Sequence, residues 1–138
     1  MKYWWLGLAL VISASAVAQG TAKQGGQSQQ TDLGRRAEER KKADTEKMKK
    51  AEANYKASKA AYEKKPSDPK LKDAYVKATN EYANSIMMNS AFTPVEKYPP
   101  ALRLYREVLK VDPKNAEARR WIETIESIYR SLGKPIPK

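Results

Sequence analysis

The segment ALRLYREVLKVDP, residues 101–113, carries the strongest structural signal in the chain. Ala101, Tyr105 and Val108 follow one another at spacings of four and three residues, so all three face the same side of a helix. A small side chain lets two helices approach closely, and the aromatic ring one turn later fills the groove between them. Pro113 cannot continue the helix. The segment therefore predicts a helix from Ala101 to about Val111 that packs tightly against a neighbouring helix.

A second amphipathic helix is predicted before this segment. The break PSDP, residues 66–69, offers Ser67 or Asp68 as the helix cap, and Pro69 suits the first turn. We expect the helix to run from Pro69 to about Asn89. One face of it is apolar or aromatic and predicts burial: Leu71, Tyr75, Ala78, Tyr82 and Ile86.

A further helix is predicted after the break DPKN, residues 112–115. It runs from Ala116 to about Leu132, and Gly133 is a natural stop. Its predicted buried face consists of Ala118, Trp121, Ile122, Ile125, Ile128, Tyr129 and Leu132. The stretch SAFTPVEKYPP, residues 90–100, contains three prolines and is predicted to be a loop.

Residues 36–66 are rich in alanine, lysine and glutamate, which predicts a long basic helix. A stripe at helical spacing predicts where this helix packs: Met48, Ala51, Tyr55, Ser58 and Tyr62. The stripe thins before Met48. We therefore expect residues 36–47 to project and residues 48–65 to pack.

The helical segments resemble the tetratricopeptide repeat (TPR) family. Residues 68–82, DPKLKDAYVKATNEY, resemble the first helix of a repeat unit, and residues 101–113 resemble the second. Thr79 departs from the family pattern, which usually has a smaller residue there. The positions that match the pattern are Tyr75, Ala78, Tyr82, Ala101, Tyr105, Val108 and Pro113, with Ile122 in the opening of a further unit.

The resemblance implies an all-α fold, namely a TPR-like helical hairpin of about one full repeat plus flanking helices, over residues 67–133. An unrelated helical bundle with the same periodicity is the alternative. TPR proteins bind partners on a concave face lined mostly by the first helices. The corresponding positions here are Asp73, Val76, Asn80, Ala83 and Asn84, then Glu117, Arg120, Thr124 and Ser127 on the last helix. The alternative for these positions is a solvated helix face.

The N-terminal residues 1–18, MKYWWLGLALVISASAVA, read as a cleavable signal peptide. One cation precedes an apolar run that ends in a small-x-small pattern. A retained membrane anchor is the alternative, although the 16 residues from Tyr3 to Ala18 give a helix of only about 24 Å. We expect a periplasmic or secreted protein, or a membrane-anchored one if the signal is kept. Residues 19–35 read as a flexible Gly/Gln/Ser-rich linker, and residues 134–138 as a Pro-rich tail.

The composition argues against an enzyme. The chain has neither histidine nor cysteine, which removes the commonest proton-transfer residue, disulfides and thiolate metal sites. The motifs for phosphate, metal or nucleophilic chemistry are also missing from the sequence. We expect no catalytic residue, no cofactor, no metal and no nucleic-acid partner.

Two functions remain. The first is a scaffold that binds an envelope protein or peptide segment through the TPR-like groove. The second depends on charge: 27 Lys and Arg against 16 Asp and Glu give a net charge of +11, which would attract anionic lipids or polysaccharides to the basic helix. A single repeat cannot bury both of its faces, so the flanking helices close the core or the protein forms homo-oligomers.

Overall fold

The computed structural model describes residues 22–138, with side chains described from Gln30 onward. The expected signal peptide and the start of the expected linker lie outside these residues. The described part is all-α, with four helices and no strand: α1 (Ala22–Lys64), α2 (Pro69–Met87), α3 (Pro94–Val111) and α4 (Ala116–Ser131). The chain divides into two units, one ending at Gly34 and one comprising Arg35–Lys138. None of the helices in residues 22–138 has both the length and the apolar character needed to cross a membrane.

Side-chain caps set where three of the helices begin. The Asp68 carboxylate accepts the backbone N–H groups of Lys70 and Leu71 at the start of α2, so Asp68 rather than Ser67 is the cap. The Asn115 side chain caps α4 by accepting the N–H of Ala118 at 3.0 Å. Each cap satisfies backbone donors that have no partner inside their own helix.

Helix α3 begins seven residues earlier than the sequence predicted, at Pro94 instead of Ala101. The Glu96 side chain accepts the N–H of Thr93 at 2.8 Å, which fixes the first turn, and Pro94 suits the first helical position. Pro99 and Pro100 lie inside the helix. Their fixed φ is compatible with a helix, and each costs one backbone hydrogen bond. The predicted proline loop is therefore wrong for residues 94–100.

The core lies where α3 packs against α2 on one side and α4 on the other. A short connection, residues 88–93, joins α2 to α3, and Tyr75 near the start of α2 reaches Glu107 near the end of α3. The two helices therefore run in opposite directions. The core side chains from the three helices are Ala83, Ile86, Met87, Ala101, Leu102, Leu104, Tyr105, Val108, Ala118 and Ile125.

Most of the repeat-like positions face inward, as their spacing predicted. Tyr75, Ala78, Ala101, Tyr105 and Val108 are each at most 4% exposed. Tyr82 and Ile122 are half-buried and pack against the core, whereas Pro113 is an exposed residue just after α3.

Thr79, which departs from the TPR pattern, is buried. Its hydroxyl is satisfied there because it donates to the carbonyl of Tyr75 at 2.7 Å. Leu132 was predicted to be buried, but the residue is 61% exposed. Helix α4 ends at Ser131, and Gly133 adopts a φ of 62° that turns the chain away.

Helix α1 packs through the predicted stripe. Met48 and Tyr55 contact the core cluster, and the Tyr62 ring stacks on Tyr75 with centroids 5.2 Å apart. The packed region begins slightly earlier than predicted, because the Asp44 carboxylate accepts the backbone N–H and the hydroxyl of Ser90.

The helix itself starts at Ala22, within the stretch 19–35 that the sequence suggested as a linker. Glutamine, a favourable helix former, occupies four positions in this first part of α1: Gln24, Gln27, Gln29 and Gln30.

Candidate functional site

An open depression of about 390 Å³ lies between α2 and α4. We call it the α2–α4 groove and define it by its lining residues, which are Asp73, Val76, Lys77, Asn80, Glu81, Asn84, Asn115 and Glu117. Five of the nine positions that the sequence analysis placed on the concave face line this groove. One is Glu117 of α4, and the other four are Asp73, Val76, Asn80 and Asn84. They lie on one face of α2 because their spacings are three or four residues.

The Asn84 amide is held from two sides. Its Nδ2 donates to Glu117 Oε1 at 2.8 Å, across the groove. Its Oδ1 accepts the hydroxyl of Tyr105, a core residue of α3, at 2.6 Å. The first contact fixes which end of the amide points to which partner, because a carboxylate accepts hydrogen bonds and a tyrosine hydroxyl can donate or accept. The second contact connects the groove wall to the core.

The Asn80 amide is only half satisfied. Its side chain is 7% exposed, and its Nδ2 donates to Asn115 Oδ1 at 3.3 Å. That same Asn115 oxygen also accepts the N–H of Ala118. Among the side chains described from Gln30 onward, Asn80 Oδ1 is the one buried polar atom without a hydrogen-bond partner. Such an acceptor is costly to bury, by about 1–3 kcal/mol, and native proteins keep few of them.

The groove is acidic although the chain as a whole is basic. Asp73, Glu81 and Glu117 line it, with Lys77 as its only cation. Lys77 approaches Glu81 at 3.9 Å, with both side chains well exposed, so this pair is weak. Burial raises the pKa of the Tyr105 hydroxyl well above its ordinary value, and the negative charge of Glu117 adds to the increase.

Four of the nine expected positions lie elsewhere. Arg120, Thr124 and Ser127 are exposed on α4 and do not line the groove. The Thr124 hydroxyl donates to the backbone carbonyl of Arg120, so it is engaged within its own helix. Ala83, from the wider set of concave-face positions, is completely buried in the core instead.

Three groove residues were not singled out as site residues from sequence, namely Lys77, Glu81 and Asn115. Asn115 carries a recognisable signal, because an asparagine directly before an amphipathic helix is a typical cap. Its second role, accepting from Asn80, joins residues 35 positions apart and has no local signal.

A second polar cluster ties α1 to α2 and α3. The Glu107 carboxylate accepts Lys59 Nζ at 2.7 Å, the Tyr55 hydroxyl at 3.0 Å, and the Tyr75 hydroxyl. Burial alone would raise the pKa of Glu107, but these hydrogen bonds together outweigh burial and lower it. The hydrogen bond to Glu107 raises the pKa of Lys59, and burial raises that of Tyr75. The cluster stays charged and fully paired near neutral pH, which fits a structural role.

Tyrosine rings continue this contact between α1 and α2. Tyr55 stacks on Tyr82 at 5.5 Å and on Tyr75 at 6.2 Å, and Tyr62 stacks on the same Tyr75. Aromatic pairs at such distances add about 0.5–1.5 kcal/mol beyond the area that they bury. In this contact the tyrosine rings supply the apolar surface that Leu, Ile or Val would otherwise provide, since residues 48–64 contain none of these three.

The basic surface of α1 is partly neutralised by its own acids. Ion pairs run along the helix, among them Arg35–Glu39, Lys41–Glu38, Lys49–Glu46 and Lys56–Glu52. Most of these side chains are more than half exposed, so each pair adds little stability. The pairs reduce the charge that α1 offers to an anionic surface.

The site holds no catalytic or metal-binding arrangement that we can recognise. In residues 22–138, no three carboxylates come close enough together to hold a metal ion. Comparison of the chain with protein-family models, curated proteins and solved structures gave no match. The geometry of the α2–α4 groove is therefore the best guide to the function of this protein.

Proposed function

We propose that this protein is an exported, TPR-like adaptor that binds an extended peptide segment of an envelope protein in the α2–α4 groove. The main support is the half-satisfied Asn80, whose buried Oδ1 lacks a donor at the groove wall. A peptide backbone presents N–H groups at regular intervals and is the commonest source of such a donor. The TPR resemblance of residues 68–113 supports the same reading.

The proposed binding mode uses both asparagines of α2. Asn84 is already fixed by Tyr105 and Glu117, so it gives the groove a rigid wall with no ordering cost on binding. Asn80 supplies the unused acceptor. Because its Oδ1 is covered in the free protein, the binding mode requires the atoms that cover it to move aside when a ligand enters.

The location is part of the proposal. The apolar residues 1–18 with their small-x-small end favour export by a signal peptide. The adaptor then works in the periplasm or outside the cell, or at the membrane if the signal is retained.

Site-specific photocrosslinking in producing cells tests the adaptor function. A benzoylphenylalanine at Val76, on the groove wall, is expected to give a discrete adduct with an envelope protein. The same group at Glu123, an exposed position of α4 outside the groove, is the matched control and should give none. No adduct at Val76, or the same adduct at both positions, would contradict groove binding.

The variant Asn80→Leu sharpens this test. Leucine keeps the branched shape of the side chain. It removes the unpartnered Oδ1 together with the weak 3.3 Å hydrogen bond that Nδ2 donates, so folding stability should change by less than about 1 kcal/mol. The Val76 adduct should disappear in this variant. Survival of the adduct would show that Asn80 does not hold the ligand.

The alternative is a binder of anionic lipid or polysaccharide that uses the basic helix. The net charge of +11 favours it, whereas the ion pairs along α1 argue against it. Binding to anionic vesicles that is unchanged in Asn80→Leu and weakens steeply between low and physiological ionic strength would favour the alternative.

A further inference from the structure

We infer that the segment bound in the α2–α4 groove is cationic, carrying lysine or arginine side chains on an extended backbone. This inference rests on the proposed peptide-binding function and adds the chemistry of the ligand. Its basis is the contrast between an acidic groove and a basic protein.

The charges at the groove favour a cation. Three carboxylates, Asp73, Glu81 and Glu117, face one ammonium group, that of Lys77. Lys77 is held only by the long 3.9 Å contact to Glu81, so it is free to move out of the groove. Asp73 is exposed on the first turns of α2 and Glu117 lies in the first turn of α4, so the carboxylates lie on both walls.

Glu117 also argues against an anionic ligand. The first turn of a helix carries a partial positive charge and exposed N–H groups, which attract anions. In α4 the N–H groups of Ala118 and Arg119 are already used, because they donate to the side chain and to the backbone carbonyl of Asn115. The Glu117 carboxylate also supplies a negative charge in this turn. A second carboxylate or a phosphate placed here would meet the negative charges of Glu117 and Asp73.

The polar groups of the groove define the rest of the ligand. Asn80 Oδ1 and the carboxylates are all hydrogen-bond acceptors, and the Asn84 amide already has a partner at each end. A ligand that fits therefore presents donors. A peptide with Lys or Arg side chains does so twice, through its backbone N–H groups and through its ammonium or guanidinium groups.

The positive net charge of the protein repels a cationic peptide mainly through charges that lie far from the groove. At physiological salt, charges more than about 8 Å apart are largely screened. The groove carboxylates act within that range, whereas most of the cations lie elsewhere on the molecule. Local charge therefore decides what the groove accepts.

A displayed library of linear dodecapeptides, selected on the full-length protein, provides the probe. Enriched sequences are synthesised with a fluorescent label, and their Kd is measured by anisotropy against the unchanged protein. We expect enrichment of Lys and Arg and depletion of Asp and Glu. The expected Kd of such a peptide increases about fivefold in the double variant Asp73→Asn and Glu117→Gln, which removes two exposed charge contacts.

The controls keep the two hypotheses apart. Glu117→Gln retains an oxygen acceptor for Asn84, and Asp73 is exposed, so both variants should fold, as their thermal melts will verify. Glu123→Gln removes an exposed acid of α4 outside the groove and should leave Kd unchanged. An equal loss in Glu123→Gln would overturn the inference, since general charge would then explain binding.

The remaining outcomes distinguish the inference from the function. Enrichment of neutral or acidic peptides whose binding is lost in Asn80→Leu would overturn the cationic ligand and keep the peptide-binding groove. If no enriched peptide depends on Asn80 for binding, both the cationic ligand and the peptide-binding groove are overturned.

Discussion

At the scale of single residues, polar side chains in this molecule gain their roles from partners far away in sequence. Tyr75 and Tyr105 were predicted to face inward from spacing alone. Their hydroxyl partners, Glu107 for Tyr75 and Asn84 for Tyr105, are 32 and 21 residues away and have no local signal. The sequence therefore predicts which side chains are buried, but not which polar groups meet inside.

Glu107→Gln is expected to destabilise the fold at pH 7 by about 1–3 kcal/mol, because the charge that orders Lys59, Tyr55 and Tyr75 is lost. The pKa of Glu107 is lowered below its ordinary value of 4.5. Its contribution is therefore complete above pH 4.5 and is lost as pH falls through the lower pKa of the folded state. Urea unfolding at pH 7 and pH 3 should show a difference between wild type and variant that shrinks in acid.

The exposed Glu123→Gln is the matched control for this measurement and should track the wild type at both pH values. A stability difference between wild type and Glu107→Gln that is equally large at pH 3 would mean that shape, not charge, explains the effect.

At the scale of secondary structure, capping chemistry was readable from the sequence and tolerance of proline was not. Asp68, one of the two caps that the sequence offered, caps α2, and Asn115 is of a residue type that commonly caps a helix. Residues 94–100 were assigned to a loop because three prolines lie between 90 and 100. The structure puts Pro94 at the helix start and the other two within the first turns, where φ near −65° suits a helix. Sequence rules for proline consider only the neighbouring residues. They do not include the stability that α3 gains from the burial of its later residues, Ala101 to Val108.

Asp68→Ala is expected to lower the free energy of unfolding by about 1 kcal/mol, because two N–H groups at the start of α2 lose their acceptor. Thermal unfolding followed by circular dichroism measures the loss. Ser67→Ala, at the neighbouring exposed position, should leave the melting temperature unchanged. Equal losses in the two variants would show that the turn, not the cap, sets the stability.

At the scale of the whole molecule, the described unit Arg35–Lys138 is closed by segments outside the repeat-like helices. Helix α1 covers α2 through stacked tyrosines and the Glu107 cluster. The C-terminal tail also contributes: Ile136 packs against the core, and Arg106 donates to the carbonyl of Pro137 at 2.7 Å. The sequence left open whether flanking helices close the core or copies of the chain associate. The tail has no helical period, so its packing could not be read in advance.

Ile136→Ser is expected to reduce stability by about 1 kcal/mol, since a half-buried aliphatic side chain loses its contact with the core. In a unit of this size, that change lowers the melting temperature by about 4–8 °C. Lys134→Ser, at an exposed position of the same tail, is the control and should melt like the wild type. An unchanged melting temperature for Ile136→Ser would mean that the tail is detached in solution.

The stacking of Trp121 on Tyr105 has a practical consequence. The two rings lie nearly parallel, with centroids 6.1 Å apart, and the Tyr105 hydroxyl is bonded to Asn84 on the groove wall. Trp121 is the only tryptophan between residues 22 and 138, so its emission comes from a single place in that part of the chain. In a chain prepared without residues 1–18, occupancy of the groove should therefore shift the intrinsic fluorescence, which gives an optical titration without any attached dye.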